Sequence, residues 1–126
     1  MGKQFTLGKN ERLKSRKSIE QLFDDGHRFS HTLFKVFYIQ NDKPGLQFGV
    51  GVSSKNFKTA VDRNRIKRLT KEAYRLQKNG LQQQLKEKKT GLDLFIIYTG
   101  KELPEYKNVY KNITVILQKL SNNIGQ

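Results

Sequence analysis

The residues best suited to chemistry lie in "AVDRNRIKRLTKEAYR", residues 60 to 75, where six basic side chains and an asparagine meet only two acids. Helical spacing sorts the stretch into two opposed stripes. Ile66, Leu69, Ala73 and Leu76 fall on one side, and Arg63, Lys67, Lys71 and Arg75, with Asn64 and Lys78 beside them, fall on the other. A solvated helix face usually mixes signs and gains from acid–base pairs; Glu72 can partner Arg68 at i+4, yet Arg63, Lys67 and Lys71 have no acid three or four residues away on their own row. Each like-charged pair left uncompensated costs a few tenths of a kcal/mol. The stripe therefore reads as a face for a polyanion rather than an ordinary solvated surface.

Catalytic constellations are missing from the rest of the chain. His27 and His31 have no acid in the spacing of a metal motif, and Asp24 and Asp25 sit side by side at a helix end as turn residues do. The glycines of "GVGVSSK" fit neither G-x-x-x-x-G-K-[ST] nor G-x-G-x-x-G. Protein-borne catalysis and nucleotide binding have no support in the residues.

Composition agrees with the stripe. The 126 residues carry 25 Lys plus Arg against 11 Asp plus Glu, a formal charge of +14 that points to nucleic acid. A 35% hydrophobic fraction with 8 Phe and 5 Tyr supplies one modest core, so a single domain over residues 1 to 126 is expected. Without cysteine neither disulfides nor thiolate metal sites can staple it, which is compatible with a reducing cytoplasm. No run of 18 apolar residues occurs, and membrane spanning is not expected. Membrane-surface binding fits poorly as well, because the apolar stripe of the basic helix is needed for the core.

The elements that must position the basic face follow from periodicity. Residues 1 to 14 read as a flexible basic arm. "SRKSIEQLFDDG" then places Ile19, Leu22 and Phe23 at i, i+3, i+4 of a short helix. "TLFKVFYIQ" reads as a strand with Phe34, Val36 and Tyr38 on one face and Leu33, Lys35, Phe37 and Ile39 on the other. "LQFGVGVS" sets Leu46, Phe48, Val50 and Val52 against a nearly bare face of Gln47, Gly49, Gly51 and Ser53. Such bareness fits either a bulge or the close approach of a ligand. Past Gly80 the basic helix continues or frays, "LDLFIIYTG" is a central strand, and a last helix starting near Pro104 carries Val109, Ile113, Ile116, Leu117 and Leu120. Residues 122 to 126 read as a frayed tail, and there is room for a short strand near His27 to Ser30. The order implies a mixed α/β sandwich of one sheet and a few helices.

"KNFKTAVDRNRIKRLTKEAYR", with Arg63-Asn64-Arg65 at its centre, resembles the RNR signature of the bacterial ribonuclease P protein subunit. "RLKSRKSIEQLFDDGHRF", "FKVFYIQ", "LQFGVGVSSK" and "LDLFIIYTG" resemble that family's first helix and strands in the same order, so the likeness spans nearly the whole chain. It implies a two-layer α/β sandwich like domain 2 of ribosomal protein S5, with a left-handed βαβ crossover where handedness rules alone favour a right-handed one in about 98% of cases. It also implies a monomeric cytoplasmic subunit that binds a catalytic RNA and the 5′ leader of precursor tRNA. In that family the RNA performs the hydrolysis with Mg²⁺, and the protein alone is inactive. By the same resemblance Arg63, Asn64, Arg65, Lys67, Arg68, Lys71 and Arg75 face the RNA subunit, with Lys71 offering a point charge where Arg is common. Ile19, Phe23, Lys35, Phe37, Gly49, Gly51 and Lys55 would line the leader cleft, and Ile19 stands where an aromatic is common. "FKT" at 57 to 59 replaces a common glycine ahead of the basic helix. A ribosomal RNA-binding protein shares the fold and the charge, and the RNR signature with the cleft aromatics decides against it.

Overall fold

The computed structural model describes residues 16–42 and 45–124. The expected basic arm, residues 1 to 14, lies outside them. Eight elements follow one another: α1 (Arg16–Asp25), β1 (His27–His31), β2 (Phe34–Asn41), β3 (Gly45–Val52), α2 (Ala60–Gln77), α3 (Asn79–Glu87), β4 (Gly91–Tyr98) and α4 (Tyr106–Ile124). The sheet order is β1-β2-β4-β3. β4 runs antiparallel to β2 and parallel to β3, so α2 and α3 form the crossover between two neighbouring parallel strands.

Alternation along the strands gives the sheet two different faces. On one, Phe34 and Val36, Leu46 and Phe48, and Leu92, Leu94 and Ile96 are buried beneath α2, α3 and α4 in the main core. The tightest ring contact there is Phe48 stacked on Tyr74 of α2, with ring centroids 3.8 Å apart and planes 5° from parallel. Tertiary hydrogen bonds hold the helix layer together. Gln77 donates to the Tyr110 carbonyl at 3.2 Å, and Gln84 to the Ser121 carbonyl at 2.8 Å. On the other face α1 seats Leu22 against Phe37, flanked by Ile19, Phe23, Ile39, Phe95 and Ile97.

The short strand for which there was room near His27 to Ser30 is present as β1. Other expectations change: beyond Lys78 the chain forms a separate helix and neither continues nor frays the basic one. The ending is not frayed up to Ile124: α4 runs to that residue, which is buried in the main core. Its side chain extends the helical spacing of Ile113, Ile116, Leu117 and Leu120, and that burial outweighs the polar "SNN" before it. α3 stops in a Schellman geometry, with the Thr90 amide on the Leu85 carbonyl at 3.1 Å, the Lys89 amide on the Lys86 carbonyl at 3.2 Å, and Lys89 left-handed at φ 54°.

Candidate nucleic-acid interface

α2 is built to expose charge. Thr59 caps its N-terminus by accepting the Asp62 amide at 3.4 Å, and Asp62 in the first turn with Arg75 in the last complements the helix dipole. The approach to the helix, "FKT" at 57 to 59, is tied to the rest of the fold. Phe57 is buried with its ring 6.0 Å from that of Tyr98, and the Asn56 amide donates to the Thr99 and Gly100 carbonyls at 3.2 and 3.1 Å. The start of α2 is thereby pinned to the end of β4.

The inner stripe of α2 is Ile66, Thr70, Ala73 and Tyr74 rather than the stripe read from hydropathy alone. Leu69 is only half-buried and Leu76 is exposed, because the stripe is centred on Thr70 and Tyr74, two residues whose rings or hydroxyls carry polar atoms. Thr70 is accommodated by donating its hydroxyl to the Ile66 carbonyl at 2.8 Å.

The basic residues divide into two kinds. Asn64, Arg65, Arg68 and Lys71 are exposed, and among the described residues no acid pairs with Arg65, Arg68 or Lys71. Arg63, Lys67 and Arg75 are half-buried at the flank. Arg63 donates to the Phe57 carbonyl at 2.8 Å, so it locks the helix to the preceding loop. Glu72 pairs with Arg75, three residues on, instead of with Arg68. Arg68 is left to solvent, which strengthens the unpaired outer row. Lys78, grouped with the basic stripe on spacing, is withdrawn from it: only 1% of its surface is exposed where α2 turns into α3.

The second candidate surface is the sheet face under α1. Two rungs matter: Arg28, Phe37, Phe95 and Gly49 in one, and Ser30, Lys35, Ile97 and Gly51 in the next. α1 covers the first rung. Phe37 is only 7% exposed, with the Phe23 ring 4.8 Å away and the Arg28 guanidinium 5.8 Å from its centroid, so the ring is part of the packing and not a free stacking platform. Phe23 and Ile19 remain half-exposed at the edge of α1. The second rung is more open, with Lys35 exposed and Ile97 and Gly51 half-buried; Lys55, beyond β3, is exposed too.

The bare glycine face is partly filled from within. A Cβ on Gly51 would lie 3.1 Å from Phe95 Cε1, so the glycine makes room for that ring as well as for anything outside. Phe95 and Ile97 belong to this surface although reasoning from the sequence did not single them out. Strict alternation within "LDLFIIY" carries the signal, masked by apolar residues on both faces. Among the described residues no group of three or more His, Cys, Asp or Glu converges as a metal site requires.

A family model described as Ribonuclease P matches residues 7–121. The ribonuclease P protein component of Porphyromonas gingivalis strain W83 is 32% identical over 123 residues, covering 95% of this chain and 90% of that protein. Two solved structures have the same fold. The RNase P protein from Thermotoga maritima superposes with a TM-score of 0.71 at 24% identity, covering 86% of this chain and 96% of that one. A Staphylococcus aureus RNase P protein mutant, described as having defective mRNA degradation activity, also gives 0.71, at 21% identity and 89% of each chain.

Proposed function

The chain belongs to the bacterial ribonuclease P protein family, and from that premise we propose that it binds the catalytic RNA through α2 and the 5′ leader of precursor tRNA across the sheet face beside α1. The observation that carries this reading is the outer row of α2. Arg65, Arg68 and Lys71, with Asn64 beside them, stand exposed without acidic partners, on a helix pinned at its start by Asn56, Phe57 and Arg63. A rigid cationic rod of this kind gains binding free energy from released counterions and loses little to rearrangement.

The leader surface combines Phe23 and Ile19 at the rim of α1 with Lys35, Ile97, Gly51 and Lys55. Phe37 supports it from below. An apolar edge with a nearby lysine suits a single strand of variable sequence, since stacking and phosphate attraction do not depend on which base is present. In this reading the protein works as one copy in the cytoplasm. Mg²⁺ and the hydrolytic step belong to the RNA. Its own contribution is to offset repulsion between two RNAs and to hold the leader.

The test is cleavage of precursor tRNA by protein, RNA and their mixture across a Mg²⁺ series. The mixture should cut at the lowest Mg²⁺, and added Mg²⁺ should partly replace the protein. Site-specific cutting by the protein alone, abolished by changing one carboxylate, would overturn the cofactor reading.

A further inference from the structure

We propose that the groove between β1 and the C-terminal end of α4 is a second site for single-stranded RNA, taking one nucleotide with its base beside His27 and Tyr38 and its phosphate at Lys119. The inference rests on the reading of this chain as an RNA-binding subunit and extends the path of the bound strand beyond the sheet face. The groove has a volume of about 430 Å³ and is lined by His27, Phe29, Tyr38, Lys119, Asn122 and Asn123. That is within the size range of small-ligand sites. It lies on the side of the sheet covered by α2, α3 and α4, because Phe29 and Tyr38 pack against the main core while Phe37 packs under α1 on the opposite side.

The lining has the chemistry a nucleotide needs. The His27 and Tyr38 rings lie 5.2 Å apart and tilted by 31°, an aromatic wall for a base. Asn123 donates to the Tyr38 hydroxyl at 3.1 Å, which uses one of its amide's hydrogen-bonding positions and leaves others, with those of Asn122, for a base edge. Lys119 Nζ sits 5.4 Å from the Phe29 ring centroid, holding a cation at the rim. Among the described residues no Asp or Glu lines the groove.

β1 is an edge strand, and Arg28 connects its two sides: the residue lines the groove while its guanidinium lies over Phe37 on the opposite face. A strand leaving the leader surface thus meets positive charge around the edge of β1 and not only across the sheet. An extended peptide pairing with the same edge would take its affinity from backbone hydrogen bonds, for which Lys119 and the two asparagines are not needed.

The experiment uses the full chain with a fluorescent hexauridylate and a 4-thiouridine version for crosslinking. Lys119→Gln, Asn122→Ala and Asn123→Ala are combined in one variant, and Lys119→Glu is made alone in case the combination unfolds. Arg65→Gln, Arg68→Gln and Lys71→Gln form a control on α2. Either groove variant should weaken hexauridylate binding, the combined one by about tenfold or more as the loss of one charge-assisted phosphate contact predicts, while binding of the ribonuclease P RNA stays near that of the parent. Crosslinks should reach β1 and the end of α4. Parental hexauridylate binding by both groove variants, with RNA-subunit binding lost only in the α2 control, would overturn the groove and leave the family reading intact. Crosslinks confined to α1 and the sheet face, or a captured peptide with RNA binding unchanged, would overturn it too. A chain that binds neither RNA would instead remove the functional reading beneath it.

Discussion

At Gly100 a hydrogen atom stands where any other side chain would collide with Tyr98: a Cβ there would overlap the hydroxyl and come within 2.5 Å of Cζ. The Tyr98 hydroxyl passes over the glycine to donate to the Glu102 carbonyl at 2.7 Å. Gly100→Ala should therefore cost about 1–3 kcal/mol through forced repacking, read as a lower midpoint in urea. Burial first, and Glu102 second, raise the Tyr98 pKa above its ordinary 10.0. A raised tyrosine pKa means that the unfolded chain gives up its proton first. The stability it contributes is complete below pH 10 and disappears as pH rises beyond that value. The Tm should fall in that alkaline range, and Tyr98→Phe, although less stable at neutrality, should show a shallower fall. The basic residues separate in the same way by partner. Replacing Arg65, Arg68 and Lys71 together by Gln should leave the circular dichroism unchanged and reduce the log–log salt slope of RNA binding by about 2–3. Arg63→Gln should instead lower stability, since its guanidinium serves the Phe57 carbonyl. An unchanged slope in the triple variant would remove α2 from the interface.

The elements show where periodicity was enough and where it was not. The two-faced strands and the basic helix were legible because burial imposes a period of 2 or 3.6 directly on residue type. Position within a face was harder. Phe37 and Phe23 are both aromatic and both near the cleft, but only the docking of α1 decides that Phe37 is covered and Phe23 stays at the rim, and docking depends on neighbours remote in sequence. Phe37→Ala should cost about 3–5 kcal/mol and lower binding of leader-bearing and mature tRNA alike, whereas Phe23→Ala should cost less and affect the leader-bearing substrate selectively. Equal losses in stability for the two would place both rings in the core. Lys78 was misread for a related reason, because a turn between helices can bury a cation that a straight helix would display. The end of α3 offers a gain. Lys89 holds a left-handed conformation that glycine adopts without a Cβ penalty, so Lys89→Gly should raise stability by about 0.5–1 kcal/mol in denaturant titration.

For the whole molecule, two differently constructed surfaces share one rigid sheet. A formal charge of +14 attracts polyanions in general, and in the proposed reading the placement of α1, α2 and β1 around the sheet gives that attraction direction. The strand order carries a further consequence for how the chain reaches this state. β4 lies between β2 and β3 and is the last strand to be synthesised. Until residues 91 to 98 have left the ribosome, β2 and β3 each lack their central partner, and the apolar side of α2 has half a sheet to cover. Until then the nascent chain is a basic polymer with an incomplete sheet. Its folding must wait for a late insertion with long loops to close, a topology that slows the search and lengthens exposure to the wrong polyanion.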